Sequence, residues 1–168
     1  MGGLKKRLVI ILSILTIIIL AGVVLGTNII VKTDNKDFDK DPNFYKALGN
    51  YFAEQGEYDK AIQSYETCLL LGEDIEARNN LAVLYHKQSR YTEAINQLKQ
   101  LITIEPDNPS YHYDLAVNLV DKFRNTQEQD INDLTEALAE YQKTEALELG
   151  YEYAKENAEV LKEVLEQA

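Results

Sequence analysis

The feature that most constrains the fold is a pattern of apolar and small residues that recurs along the chain with a period of about 34 residues. The pair Leu48-Gly49 recurs as Leu81-Ala82 and again as Leu115-Ala116. Other positions recur in the same register: Phe52 with Tyr85 and Leu119, Tyr58 with Tyr91, and Ala61-Ile62 with Ala94-Ile95. A period of this length is typical of arrays in which each repeat buries its apolar face against its neighbours.

The first copy of the pattern, from Asn43 to Leu71, has the periodicity of two amphipathic helices. Apolar residues recur three and four positions apart on both sides of Gln55–Glu57, which predicts two helices joined by a turn. Gly49 and Ala61 lie within the apolar stripes, where a larger side chain would push the helices apart. They therefore predict the close crossing of a helical hairpin.

The recurring positions resemble the tetratricopeptide repeat, whose pattern places an aromatic residue, Leu-Gly, Tyr, Ala, Phe and Pro in a set order. Pro106 stands at the proline position that closes the second copy. The resemblance covers residues 42–168 and implies an all-α fold, a right-handed α-solenoid of about three helical hairpins and a C-terminal capping helix. It places the repeats at about 42–74, 75–108 and 109–150 and the capping helix at 151–168.

The third copy departs from the regular spacing. The counterpart of Ala94 in this copy is Ala137, which lies later than the period predicts, so roughly nine extra residues lie within Arg124–Asn132. Their polar character predicts a longer loop between the two helices. The final helix has an apolar stripe and many acidic residues elsewhere, as the polar outer face of a terminal element requires. Its predicted apolar residues are Tyr153, Ala154, Ala158, Leu161 and Leu165.

The N-terminal part of the chain has a different character. Residues 1–7 form a short basic segment, and residues 8–31 contain no charged residue. At about 1.5 Å per residue, this run can span the roughly 30 Å hydrocarbon core of a bilayer, so we predict a transmembrane helix. A cleaved signal peptide is the alternative, but its apolar region is usually only about 7–15 residues long. Residues 32–41 are a polar linker, and Asp41-Pro42 is a helix start signal.

The flanking charges predict the orientation in the membrane. Lys5, Lys6 and Arg7 precede the apolar run, whereas the segment after it mixes both signs. The positive-inside rule therefore places the N-terminus in the cytoplasm and the repeat domain outside it, in a single-pass protein of the bacterial plasma membrane.

The charge of the remaining chain excludes one class of partner. The segment from Met1 to Val31 holds three of the 17 Lys and Arg and none of the 28 Asp and Glu, so the rest carries a net charge of −14. A domain this acidic is unsuited to nucleic acid, because binding depends on neutralising phosphates with basic side chains. The lone cysteine, Cys68, falls on a buried stripe and is interpreted as a small apolar filler.

The residue types that support catalysis do not form a recognisable constellation. The two histidines, His86 and His112, have no neighbouring ligand pair that would make a zinc site, and phosphate-binding and nucleophile motifs are absent from the sequence. We interpret His112 as a packed histidine in an aromatic slot of the third repeat. The sequence predicts no enzyme, no cofactor and no metal.

The resemblance implies that the first helix of each hairpin lines a concave groove that binds a protein or peptide. One sub-family of chaperone co-factors grips a C-terminal carboxylate there, and Lys46, Asn50 and Asn80 match three of its positions. Ser110 and Asp114 stand where its two basic residues should be, and Asp114 would repel a carboxylate. The groove residues implied by the family pattern are Asn43, Lys46, Asn50, Glu54, Asn79, Asn80, Val83, His86, Lys87, Tyr113, Val117, Val120 and Asp121.

Taken together, these patterns predict a membrane-anchored adaptor or scaffold whose partners are a protein or peptide in the groove and the lipid bilayer at residues 8–31. Two alternatives remain open at this point. The repeat arrays or anchors could associate with one another as a structural membrane protein, or the chain could be an accessory subunit of a membrane secretion or assembly complex.

Overall fold

The computed structural model describes residues 40–167, which form seven α-helices. They are α1 (Pro42–Glu54), α2 (Tyr58–Leu71), α3 (Ile75–Lys87), α4 (Tyr91–Ile104), α5 (Pro109–Asn125), α6 (Ile131–Leu147) and α7 (Ala154–Glu166). The predicted transmembrane helix at 8–31, the basic segment at 1–7 and nearly all of the 32–41 linker lie outside these residues. Among residues 40–167, every helix is too short or too polar to cross a bilayer.

Each helix packs mainly against the helix that precedes or follows it in the chain. The pairs α1–α2, α3–α4 and α5–α6 are hairpins, α2–α3 and α4–α5 join one hairpin to the next, and α7 packs on α6. In a solenoid, each repeat contacts only the repeats next to it in the chain. The predicted all-α array of three hairpins with a terminal helix is confirmed.

The starts of the helices follow from local chemistry. Asp41 accepts a hydrogen bond from the Asn43 backbone N–H at 2.9 Å, and Pro42 takes the first helical position, where no N–H is needed. Asp74 caps α3 in the same way by accepting from the Ala77 N–H, and Asn108 caps α5 ahead of Pro109. These residues end each linker and fix where the next hairpin begins.

Two clusters of buried side chains make up the core, and the second hairpin contributes to both. Leu81, Leu84 and Tyr85 pack with Ala61, Ile62 and Tyr65 of the first hairpin. Ala82, Ile95 and Leu98 pack with the third hairpin and with α7. Because the middle hairpin has apolar residues on two faces, it is buried only when both neighbours are present. Cys68 is fully buried in the first cluster, as predicted, and burial raises the pKa of its thiol.

The insertion in the third repeat lengthens the loop, as predicted, but most of its residues extend the two helices instead. α5 is four residues longer than α3 at its C-terminal end, and α6 is three residues longer than α4 at its N-terminal end. The connecting loop grows only from three residues to five. Extra helix is stable here because Lys122 of α5 forms an ion pair with Asp133 of α6 at 2.8 Å, across the added turn.

The terminal helix α7 covers the end of the core with Ala154, Ala158 and Leu161. Leu165 is partly buried beside them. Tyr153, which the sequence pattern assigned to this apolar stripe, is instead exposed. It precedes the first helical residue, so its direction is not set by the helical period.

One residue in the second hairpin turn has a backbone conformation that its side chain disfavours. Ser89 has a φ of 59°, and the residue at the matching place in the first turn is Gly56, with a φ of 73°. We expect Ser89→Gly to raise the free energy of unfolding by up to about 1 kcal/mol, because glycine adopts this region without a steric penalty. Gly56→Ala should lower the free energy of unfolding by about 1 kcal/mol. Urea denaturation measures both changes, and a less stable Ser89→Gly variant would contradict the assignment.

Candidate functional site

The first helices of neighbouring hairpins enclose two adjoining concave pockets. One lies between α3 and α5, has a volume of about 180 Å³ and includes the buried residues Ala82 and Leu98 in its lining. The other lies between α1 and α3 and has a volume of about 270 Å³. Val83 and Lys87 line both pockets, so the two form one continuous groove along α1, α3 and α5.

The structure brings together most of the groove residues that the sequence implied. Those that line the α3–α5 pocket are Asn79, Val83, His86, Lys87 and Val117, and those that line the α1–α3 pocket are Asn50, Glu54, Asn80, Val83 and Lys87. Val83 is the most useful of them as a probe, because it is 43 % exposed and lies between the two pockets. Its surface and that of Val117 supply apolar contact area.

Five implied groove residues are placed outside both pockets. Asn43 is exposed at the start of α1, where its side chain hydrogen bonds to the cap residue Asp41. Tyr113 packs its ring against those of Tyr141 and Tyr151, each with centroids 5.5 Å apart. Val120 is partly buried against the core, Lys46 forms ion pairs with two carboxylates, and Asp121 lies beside His86.

Lys46 joins the first hairpin to the second. Its Nζ lies 2.8 Å from Asp74 Oδ2 and 3.2 Å from Glu76 Oε2. Hydrogen bonds to these two carboxylates raise the pKa of Lys46. Burial opposes ionisation of Asp74, but its hydrogen bonds with Lys46 and with the Ala77 N–H outweigh that effect and lower its pKa. Both carboxylates lie at the start of α3, where the helix dipole also favours negative charge.

The two amides that match the carboxylate-gripping pattern, Asn50 and Asn80, form hydrogen bonds with each other and with Tyr65. Asn50 Oδ1 accepts a hydrogen bond from the Tyr65 hydroxyl at 2.6 Å and from Asn80 Nδ2 at 3.3 Å. Asn80 Nδ2 also lies 3.3 Å from the Tyr65 oxygen. This closed network fixes the wall of the α1–α3 pocket and leaves fewer amide groups for a ligand.

Asn118 is a pocket residue that sequence reasoning missed. It is buried, donates from Nδ2 to the Asp114 carbonyl at 2.8 Å and faces His86 Nδ1 with its Oδ1 at 3.0 Å. Since Oδ1 can only accept, Nδ1 of His86 carries a hydrogen. His86 Nε2 lies 3.6 Å from Asp121 Oδ2, so the ring is held between α5 side chains. The available signal was a polar residue on the buried stripe of α5, where α3 has Leu84.

The other histidine is structural, as predicted. His112 is 5 % exposed, with Nδ1 at 2.5 Å from Glu140 Oε2 and Nε2 at 2.8 Å from the Pro106 carbonyl. It ties the linker before α5 to α6 and does not face the groove pockets. Within residues 40–167, His, Cys, Asp and Glu side chains do not assemble into a group of three that could hold a metal ion.

Comparison with known proteins agrees with this architecture. Residues 45–78 match the family model Tetratricopeptide repeat, and residues 84–119 match the family model TPR repeat. Two segments of the chain are therefore similar to tetratricopeptide repeats, and the described residues have a solenoid-like all-α fold. Among curated proteins, the uncharacterized protein ycf37 of Cyanophora paradoxa is 35 % identical over 78 residues. This match covers 45 % of each chain, so it spans less than half the length of that relative.

Solved structures resemble the fold at low sequence identity. The crystal structure of MamA superposes with a TM-score of 0.65 at 19 % identity, over 79 % of this chain and 73 % of that one. The first TPR of Spaghetti (RPAP3), bound to the HSP90 peptide SRMEEVD, superposes with a TM-score of 0.60 at 17 % identity, over 76 % and 94 % of the two chains. These similarities show the fold shared with tetratricopeptide-repeat domains.

Proposed function

We propose that the protein is an adaptor or scaffold that binds a protein or peptide segment in the groove along α1, α3 and α5. The observation that carries this proposal is the α3–α5 pocket, in which Ala82, Val83, Leu98 and Val117 form an apolar surface beside the amide of Asn79. Apolar area flanked by hydrogen-bonding side chains is what an extended or helical segment requires of a docking surface. The proposed activity is binding and involves no catalysis.

The peptide complex of the Spaghetti domain supports a peptide as the kind of occupant. The mode of binding proposed here differs from a carboxylate grip, because Lys46 is paired with Asp74 and Glu76, and Asn50 is bonded to Tyr65. The groove would therefore bind the interior of a segment through its side chains.

We further propose that residues 8–31 attach the protein to the bacterial plasma membrane as a single transmembrane helix, with the repeat domain on the extracytoplasmic side. The uncharged run and the basic residues Lys5, Lys6 and Arg7 before it support this arrangement. Confinement to a membrane raises the local concentration of the groove relative to other membrane-associated proteins, so weak contacts would suffice for capture.

Site-specific photocrosslinking in intact cells tests the adaptor function. The photoreactive residue replaces Val83 or Val117 in the groove, and the control position is Leu70 of α2, which is 86 % exposed and outside both pockets. One heterologous protein crosslinked from both groove positions and not from Leu70 is the expected result. Crosslinks confined to the same chain would favour self-association, and crosslinks from Leu70 as well would favour a subunit embedded in a larger complex.

We expect Val83→Asp to weaken capture of that partner by more than about tenfold, because the substitution places a charge on the apolar wall shared by both pockets. Leu70→Asp adds the same charge elsewhere on the repeat domain and should leave capture unchanged. Quantitative crosslinking yield measures both variants. Equal yields from the two would contradict a binding role for the groove.

Lys46 and Leu161 are unsuitable positions for substitutions that separate an adaptor from a self-associating protein. Charge reversal at Lys46 would break its ion pairs with Asp74 and Glu76 and so disturb the junction of two repeats. Leu161, on the terminal helix, is buried in the core and is unsuitable as a probe of an intermolecular surface. Val83 avoids both complications.

A further inference from the structure

The basic side chains along the groove make contacts within the chain. Lys46 is shared between two carboxylates. His86 is held by Asn118 and Asp121. Lys87 lies at the rim with its Nζ 5.6 Å from the centroid of the Tyr58 ring, a cation–π contact. An acidic ligand entering the groove would have to compete with the two carboxylates for Lys46 and with the Tyr58 ring for Lys87.

The carboxylate of Asp114 is in the opposite situation. It lines the α3–α5 pocket, and among residues 40–167 it forms no ion pair with a lysine or arginine. Burial raises the pKa of Asp114, the nearby Glu152 carboxylate raises it further, and a hydrogen bond with Ser110 and the proximity of His86 oppose this only in part. A partly buried carboxylate without a cation is an energetic cost that a bound cation would remove.

The pocket places apolar surface beside this carboxylate. Val83 and Val117 line the same pocket as Asp114, and so do the buried residues Ala82 and Leu98. A lysine or arginine side chain has an apolar stem and a charged end, which matches this combination of surfaces. The chain beyond residue 31 carries a net charge of −14, so the long-range field also favours a cationic partner.

We propose that the α3–α5 pocket recognises a lysine or arginine side chain of the bound segment, which pairs with Asp114 while adjacent apolar residues pack on Val83 and Val117. This inference rests on the proposed function and names the chemistry of its partner. The groove selects a basic, apolar-flanked segment and rejects an acidic C-terminus. Asp114 stands where the carboxylate-gripping pattern has a basic residue, and this difference reverses the charge preference of the groove.

Selection of peptides on the full-length protein tests this proposal. Random heptapeptides with free C-termini, displayed on phage, are selected on the full chain reconstituted in nanodiscs. The enriched pools are then challenged with Asp114→Asn, with the uncharged Val83→Asn and with the control Glu163→Gln, which removes the same charge as Asp114→Asn from an exposed position on α7. Enriched peptides are synthesised with the basic residue intact or replaced by methionine, and their Kd values are measured by fluorescence anisotropy beside the peptide SRMEEVD.

The expected result is enrichment of lysine- or arginine-containing peptides that bind the Val83→Asn variant more weakly than the unmodified protein. Asp114→Asn should weaken the binding of these peptides on the order of tenfold, which lies between the effects typical of exposed and of buried charge pairs. Glu163→Gln should leave their binding unchanged. Replacing the basic residue of a peptide by methionine should raise its Kd for the unmodified protein by a similar factor. The same replacement should change the Kd for the Asp114→Asn variant only slightly.

Two other results would overturn the proposal in different ways. Peptides that depend on Val83 but are acidic at the C-terminus, or that bind Asp114→Asn as well as the unmodified protein, would refute the charge preference and leave the proposed function standing. Selection that yields only peptides insensitive to Val83→Asn would refute both the charge preference and the proposed function.

Discussion

Replacing Gly49 with alanine is expected to lower the free energy of unfolding by about 2 kcal/mol, as overpacking of a close helix contact does. A Cβ atom at position 49 would lie 2.5 Å from Cε1 and 2.6 Å from Cδ1 of the Tyr65 ring. The ring cannot move aside easily, because it is 1 % exposed and its hydroxyl is bonded to Asn50. Alanine favours the helix by up to about 1 kcal/mol, which offsets part of the larger steric cost.

The second repeat supplies the matched control for this substitution. At the equivalent positions of that repeat, Gly49 and Tyr65 correspond to Ala82 and Leu98. The double variant Gly49→Ala/Tyr65→Leu copies that pair, and its loss of stability should be smaller than the sum of the two single losses. Urea denaturation of the four proteins gives the interaction energy. A stabilising Gly49→Ala change would show that the Tyr65 ring moves freely and that the close crossing is unimportant.

Introducing a charge at Leu161 should have the largest effect on stability, a loss of about 3–5 kcal/mol in the free energy of unfolding, because a carboxylate would be buried without a partner. Leu161 is 7 % exposed and joins α7 to the cluster formed by the second and third hairpins. Loss of this contact would uncover the end of the core, including Leu134 and Tyr141. Thermal unfolding followed by circular dichroism measures the change.

The neighbouring residue provides the control for Leu161→Asp. Val160 is 58 % exposed on the same helix, so Val160→Asp introduces the same charge without burying it. We expect its effect to be within about 0.5 kcal/mol. If the two variants lose similar stability, α7 does not cap the core in the way that the structure describes.

The helical array was predictable because it depends on local rules. Apolar spacing assigns the helices, Asp41-Pro42 starts the first of them, and the small residues Gly49 and Ala61 mark a close crossing that the Tyr65 contact confirms. Each of these signals acts within one or two helical turns. The register of the repeats then fixed which residues are equivalent, including most of those that line the groove pockets.

The polar contacts of the site were not predictable in the same way. Lys46 pairs with Asp74 at the start of the next hairpin, and Arg78 bonds Glu73, Gln97 and Gln100 although arginine is usually exposed. His86 and Asn118 meet across two repeats, 32 positions apart in the chain. A linear pattern gives the face on which such a side chain lies, but its partner depends on how adjacent hairpins are stacked.

The insertion in the third repeat shows the same distinction at the level of the backbone. Its position and length were evident from the shift of Ala137 relative to Ala94, but its polar composition indicated a loop. The structure adds helical turns to α5 and α6 instead, where Lys122 and Asp133 pair across the hairpin. Packing between the two helices overrides the local preference, since most helical stability in proteins comes from tertiary contacts.

The sequence by itself determined the repeat, the order of the helices, the acidic character of the domain and the absence of a basic residue at position 114. Only the tertiary structure decided that Lys46 forms an ion pair with a carboxylate, that Asp114 lies in a pocket with apolar walls and that Val83 lines two pockets. Residue types and their period are properties of the chain. The environment of a charge depends on which side chains and how much water surround it, and those are set only when the hairpins pack.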